Sequence, residues 1–390
     1  MNTSSKNFNR LQIILSSSSH FVIDIYQNFI IGLIPIITVK FELSLFKVAL
    51  LTATSIIANS IFSPVFGYFS DRHGLRYFLV SGMILAFVFL SFIGIISNYY
   101  ILLVFLLLGN LGVAIFHPAS AAVAGHYGGN RKGMGSSLIN FGGIAGGALG
   151  ILLFILIAEK INIRLTPFAM IPGIIMVAVL LRQVPRSNPA KKTNSEAVLF
   201  KKIRGANRNK LFILFLIIFS IYSVYILWIT MITYIPLHYA QAGVTLINVG
   251  TVMLLFGMLG GAGGLLSGQL FDRFGNGNFI IQAGFFASIP FFYFTFKTTG
   301  ILSMLLFIIG GIFLISIQPV CIRMTQDLLP ENMSLASSLI LGFGSGVAAI
   351  TMIFLGKIAD RIGTVQLVNY ELILTGFTFL LLFFFPRTPK

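Results

Sequence analysis

Long apolar runs are the feature that most limits what this chain can fold into. They recur along all 390 residues, of which 57% are hydrophobic and only 9% charged. A bilayer core about 30 Å thick is crossed by a helix of roughly 20 apolar residues that satisfies its own backbone hydrogen bonds. The sequence therefore predicts an all-α polytopic membrane protein and excludes an ordinary soluble domain.

The runs predict twelve transmembrane helices, with ends placed to within a few residues. They span residues 13–38, 46–69, 77–97, 99–125, 133–158, 166–184, 210–237, 247–271, 278–296, 300–326, 333–356 and 366–386. Twelve crossings put both termini on one side, and 18 of the 26 Lys and Arg residues lie on that side against 7 on the other. The positive-inside rule thus predicts cytoplasmic termini in a cell (inner or plasma) membrane. The net charge of +16 follows this topology and does not indicate a nucleic-acid partner.

A charged loop motif, G-x-x-x-D-R-x-G, occurs twice at an offset of 201 residues, each time between two apolar runs. Other positions match at the same offset, among them Pro118 with Pro319. The offset predicts two six-helix bundles, 1–184 and 210–390, joined by a basic cytoplasmic linker at 185–209. The motif residues are Gly67, Asp71, Arg72, Gly74 and Arg76 in the first copy, with Asp272 and Arg273 in the second.

Span five carries a row of glycines. They are Gly142, Gly143, Gly146, Gly147 and Gly150. A spacing of four places glycines on one helix face, so a neighbouring backbone can approach closely.

The loop motif resembles the signature of the major facilitator superfamily. The stretches 20–24 (His-Phe-x-x-Asp) and 116–120 (Phe-His-Pro-x-Ser) further resemble the fosmidomycin-resistance branch of that superfamily. This resemblance implies the major facilitator fold and proton-driven efflux of small molecules, and we expect a monomer. Asp71 and Arg72 would form a conformational latch, with Asp71 against the positive N-terminal end of span eleven near 332–334 in one state only.

Ionisable side chains inside the spans are candidates for chemistry, because a charge in the bilayer is costly. In span one, His20, Asp24 and Gln27 share one helix face, and a carboxylate one turn from an imidazole can bind and release a proton. His117 lies at a similar depth in span four beside the helix-breaking Pro118. We predict proton coupling for Asp24, His20 and His117, and substrate contact for Gln27 and His117. A purely structural pair of Asp24 and His20 is the alternative.

The second half offers aromatic and polar candidates for substrate binding. They are Tyr222, Tyr225, Trp228 and Tyr234 in span seven, with Gln318 and Arg323 in span ten. Packing between helices explains the aromatic residues equally well, and Arg323 can instead reach the lipid headgroups. Glu371, near the outer end of span twelve, is predicted to be solvated.

These features predict a secondary transporter that exchanges protons for a small organic molecule or drug. The rival is an importer or uniporter of an organic anion that uses Arg323, His117 and His20. The sequence has no H-E-x-x-H or G-x-S-x-G motif, so we expect no enzyme, although a non-transporting lipid receptor stays open. The expected partners are the substrate, protons and the bilayer, with no metal and no cofactor besides the proton gradient.

Overall fold

The structure is a computed structural model that describes residues 8–185, 208–329 and 339–385. Every regular element in these ranges is helical. The α-helices are α1 Arg10–Lys40, α2 Leu45–His73, α3 Leu75–Ser91, α4 Tyr99–Tyr127, α5 Lys132–Leu156, α6 Met170–Gln183, α7 Arg208–Gln241, α8 Leu246–Phe274, α9 Gly277–Thr295, α10 Gly300–Leu328, α11 Gly344–Ile362 and α12 Thr364–Leu381.

Within the described ranges, eleven helical segments are long and apolar enough to cross a membrane. The longest, Met134–Gln183, has 50 residues and holds both predicted spans five and six. There a π-helical turn at Ile157–Asn162 and 3-10 turns at Ile163–Ala169 separate α5 from α6. Fifty helical residues measure about 75 Å, which is enough for two crossings. The all-α polytopic fold class is therefore confirmed, and the twelve α-helices of the described ranges correspond to eleven candidate membrane-spanning segments.

The described helices form two compact units. The first comprises residues 8–43, 51–185 and 236–254, and the second comprises residues 44–50, 208–235, 255–329 and 339–385. The opening turn of α2 thus belongs to the second unit, while the end of α7 and the start of α8 belong to the first. The division into bundles at 1–184 and 210–390 stays a prediction, and most of the linker at 185–209 lies outside the described residues.

In the first unit, α1 and α5 pack with their backbones nearly in contact. A Cβ atom added at Gly150 of α5 would lie 2.5 Å from the carbonyl oxygen of Ile25. Gly146, one turn earlier, lies in the same way against the Phe21 carbonyl. This packing confirms the close approach that the glycine spacing predicts, and it draws α5 against the polar face of α1.

A helix with an internal proline packs on a glycine in each unit. In the first unit, a Cβ atom added at Gly67 of α2 would lie 3.3 Å from Cβ of Pro118 in α4. In the second unit, a Cβ atom added at Gly264 of α8 would lie 3.3 Å from Cγ of Pro319 in α10. Corresponding helices of the predicted repeat therefore make the same type of contact, displaced by one turn from the offset of 201 residues.

Candidate functional site

Three ionisable side chains of the first unit meet between α1 and α4. The Asp24 carboxylate lies 3.0 Å from Nε2 of His117 through Oδ1 and 3.5 Å from Nε2 of His20 through Oδ2. The side chains of Asp24 and His20 are 13% exposed and that of His117 is 24% exposed. Gln27, predicted to belong to this group, is partly buried one turn further along α1. One carboxylate thus faces two imidazoles in a largely buried setting.

Two contacts hold α1 and α4 in this register. His20 and Asp24 are one helical turn apart on α1, so both side chains point to the same side. The two imidazole rings lie 4.8 Å apart between their centroids. One turn before His20, the hydroxyl groups of Ser16 and Ser120 are 3.0 Å apart within hydrogen-bond distance. The serine pair fixes the same two helices that present Asp24 and His117.

Gly143 of α5 closes the third side of the cluster. A Cβ atom at this position would lie 2.7 Å from both Oδ2 of Asp24 and Nε2 of His20. Ordinary carbon contacts are longer, so glycine leaves room that alanine would take up. Gly147, one turn on, leaves room for Asn28, whose Nδ2 donates to the Asp24 carbonyl oxygen at 3.4 Å. The sequence predicts Gly143 as a packing residue but not as a wall of the site.

The cluster can hold either a proton or a metal ion. Carboxylate and imidazole groups both exchange protons, and hydrogen bonding between them lets a proton be shared. The ligand atoms of His20, Asp24 and His117 also lie within 4.8 Å of one another, close enough to surround one metal ion. Two imidazoles and one carboxylate are a familiar ligand set for zinc. The geometry alone fits both chemistries.

The second-unit candidates include a hydrogen-bonded group between α7 and α10. Nε2 of Gln318 donates to the Tyr225 hydroxyl at 2.8 Å. The Tyr225 ring, 9% exposed, lies 6.3 Å from the Trp228 ring between centroids. Tyr222 donates a hydrogen bond to Oγ1 of Thr351 in α11 at 3.2 Å. The structure therefore brings Tyr225, Trp228 and Gln318 together.

Tyr234 and Arg323 make other contacts. Tyr234 is 1% exposed and donates a hydrogen bond to the Leu45 carbonyl oxygen at 3.0 Å. Arg323 is about half exposed, and its Nε lies 3.4 Å from Oδ1 of Asp327, one turn along α10. An arginine in this setting has its charge balanced by a neighbouring acid on the same helix.

The first copy of the loop motif is described only in part, and the second copy is described in full. The side chains at 71–73, which include Asp71 and Arg72, lie outside the described residues, as does the expected partner segment 332–334. Gly74 has φ of +97°, a conformation that favours glycine. Arg76 donates a hydrogen bond to the Leu181 carbonyl, and Asp272 and Arg273 are exposed.

A third copy of the motif, at 356–363, was not predicted from the sequence. Within the second unit, the Asp360 carboxylate accepts hydrogen bonds from the backbone N–H groups of Leu45 at 2.6 Å and Phe46 at 3.2 Å. These residues open α2, so Asp360 caps the positive end of a helix that is distant in sequence. A search for the motif over the whole chain, and not at one offset alone, would have found it.

Glu371 is buried, so the prediction that it is solvated is wrong. Its side chain is 4% exposed, and Thr230 of α7 donates a hydrogen bond to its Oε1 at 2.7 Å. Membrane helices are apolar on the lipid side and on the protein side alike. Hydropathy therefore does not show which face of α12 points inward, and the position of Glu371 near a helix end was misleading.

Comparison with known proteins shows which family this chain is similar to. The family model described as Major Facilitator Superfamily matches residues 17–340. The fosmidomycin resistance protein of Escherichia coli (strain K12) is 25% identical over 354 residues, which are 88% of this chain and 85% of that protein. Among solved structures, a nucleoside transporter has a TM-score of 0.78 at 14% identity, with 96% of this chain and 99% of that chain covered. A D-xylose-proton symporter has a TM-score of 0.72 at 17% identity, with 97% of both chains covered.

The contact at Gly143 makes a testable prediction. Gly143→Ala should lower the midpoint of thermal unfolding, because the new methyl group must displace Asp24 and His20. Overpacking of this kind costs about 1–3 kcal/mol. With His20→Ala already in place the same substitution should cost less, since one of the two crowded groups is gone. Gly268→Ala, at a helical glycine with open space around it, is the matched control and should not destabilise. Equal losses with and without the His20 side chain would contradict the contact.

Proposed function

The chain belongs to the major facilitator superfamily, a family of membrane transporters rather than enzymes, and we propose that it exports a small organic molecule in exchange for protons. The observation that carries the proposal is the partly buried Asp24 carboxylate facing two imidazoles. The likeness to a fosmidomycin resistance protein supports export as the direction. We further propose a monomer in the cell membrane, with cytoplasmic termini.

Asp24 binds the exchanged proton in this proposal, and His20 and His117 share it. An ionised carboxylate is costly to enclose in an apolar bundle, whereas the protonated acid is not. The site therefore closes more readily when a proton, or a substrate that replaces it, is bound. This dependence of closure on occupancy links proton movement to the alternating exposure of the site to the two sides of the membrane.

Substrate contact is the second part of the proposal. It is assigned to Gln27 and His117 in the first unit and to Tyr222, Tyr225, Trp228, Tyr234, Gln318 and Arg323 in the second. The hydrogen-bonded pair of Gln318 and Tyr225 beside the Trp228 ring supports it, because a polar pair next to an aromatic face suits an organic solute. An importer or uniporter of an organic anion is the rival, and its flux would be indifferent to a pH gradient.

The loop motif supplies the conformational latch of the proposal. In the third copy, Asp360 caps the N-terminal end of α2, which supports the same chemistry for Asp71 at another helix end. Caps of this kind are worth about 1 kcal/mol, so breaking one is enough to shift a balance between two conformations severalfold. The proposed latch also includes the other motif residues. They are Gly67, Gly74 and Arg76 in the first copy and Asp272 and Arg273 in the second.

A latch and a simple helix cap differ in what Asp360→Ala changes. A latch predicts a severalfold change in transport rate together with the loss of about 1 kcal/mol of stability. A simple cap predicts the stability loss alone. Glu159→Ala, at an exposed acid outside the motif copies, is the control. Unaltered transport rates in Asp360→Ala vesicles would remove the latch role from this copy.

Asp24→Asn tests the coupling. Asparagine keeps the size and hydrogen bonding of the side chain but does not titrate, so the variant should fold and bind yet fail to accumulate substrate against its gradient. Inverted membrane vesicles with an acidic interior and labelled fosmidomycin as the first compound measure this. Parent vesicles should accumulate the compound, and an ionophore that collapses the pH gradient should abolish the accumulation. Glu159→Gln, at an exposed acid outside the cluster, should behave as the parent.

Two results would contradict the coupling proposal. Undiminished pH-driven accumulation by Asp24→Asn would move the coupling to another group. Tight stoichiometric Zn²⁺ binding by the purified protein, lost in His117→Gln, would instead make the cluster a metal site.

A further inference from the structure

Glu371 is a buried carboxyl group in the second unit that the proposed proton exchange does not use. Its Oε2 has no hydrogen-bond partner among the described residues, while Oε1 accepts one bond from Thr230. An unpartnered polar atom in a buried position is unfavourable, and an unpartnered charge is far more so. The free oxygen therefore has unused hydrogen-bonding capacity for one proton or one cationic donor.

Glu371 forms part of the wall of a cavity of about 390 Å³ among α7, α11 and α12. This volume lies within the range of roughly 300–1,000 Å³ that is usual for small-molecule sites. The wall is mainly apolar, with Leu355, Leu367 and Leu374 among its residues, and the rings of Tyr222 and Tyr370 also line it. The cavity combines one acid with aliphatic and aromatic surface.

Among the described residues that line this cavity, none is a lysine, arginine or histidine. In the described part of the chain, the titratable groups that face Glu371 are tyrosines, namely Tyr222 and Tyr234 from α7 and Tyr370 from its own helix. The hydroxyl of Tyr222 is already bonded to Thr351. The described wall of the cavity thus holds an acid without a basic side chain to balance it, in contrast to Asp24 with its two imidazoles.

We propose that this cavity binds the ammonium group of an aromatic or aliphatic amine, with Glu371 as its counter-ion. A primary or secondary ammonium group donates an N–H to the free Oε2 and cancels its charge. The apolar body of the amine contacts the leucines, and the tyrosine rings stabilise the adjacent cation. A proton occupies the same oxygen when no amine is bound, so amine and proton compete. The inference rests on the proposed function in that it names a ligand class for the transporter, but binding tests it without transport.

The probe for this site is 2-phenylethylammonium, added to the purified full-length protein in lipid nanodiscs and followed by calorimetry. A primary ammonium group stays charged at both about pH 8 and about pH 6. A difference in amine affinity between these two pH values therefore reflects a change of protonation in the protein. The parent should bind saturably, and roughly tenfold more weakly at the lower pH because the proton competes. Glu371→Gln, which keeps the shape but not the charge, should bind roughly tenfold more weakly than the parent at the higher pH. Glu159→Gln, the same change at an exposed acid of the first unit, should bind as the parent does.

Equal binding by the parent and Glu371→Gln, no saturable binding by the parent, or an equal loss in Glu159→Gln would each overturn the proposal. If Glu371→Gln does not fold, a measurement on the parent alone tests whether the amine and a proton compete. At the lower pH, calorimetry in two buffers of different ionisation enthalpy should show a proton released as the amine binds, and no release would overturn the competition. The two proposals can fail separately. If Asp24→Asn transports at an undiminished rate while the parent still binds the amine, the proton-exchange proposal is contradicted and the amine site is retained.

Discussion

The contact between one carboxylate and two imidazoles determines what the surrounding helices must provide. Asp24 is enclosed in an apolar bundle, where an uncompensated charge would be costly. The helix α1 supplies His20 from the previous turn, α4 supplies His117 at 3.0 Å, and α5 approaches closely enough to cover the cluster because position 143 is glycine. The glycine row, the proline-containing helix and the polar face of α1 therefore serve one arrangement.

The parts of this arrangement that depend on local spacing could be predicted from the sequence. A separation of four residues puts His20 beside Asp24 on any helix, and the glycine spacing predicts a close helix pair. The meeting of His117 with Asp24 was a hypothesis from similar depth, and the structure supplies the contact. The fold class and the family resemblance, which rest on apolar runs and a duplicated motif, are confirmed.

The remaining features depend on how helices are oriented, which hydropathy does not encode. The position of Glu371 near a helix end predicts a solvated side chain, yet its side of α12 faces Thr230. Asp360 meets the start of α2 across 315 residues of sequence. Apolar faces toward lipid and toward protein look alike, so neither contact could be derived from periodicity. The two buried acids also differ in their surroundings, since Asp24 has two histidine partners and the described residues that line the cavity at Glu371 include no basic side chain.

The central claim is that Asp24 takes up and releases a proton while the fold stays intact. Infrared difference spectroscopy of the purified protein between acidic and alkaline buffer observes this directly, because a protonated carboxyl group has a carbonyl band that the carboxylate lacks. The account predicts that part of this band in the parent is missing from Asp24→Asn, and that both proteins unfold at similar temperatures. Identical difference spectra for the parent and Asp24→Asn would show that Asp24 does not titrate and would contradict the account.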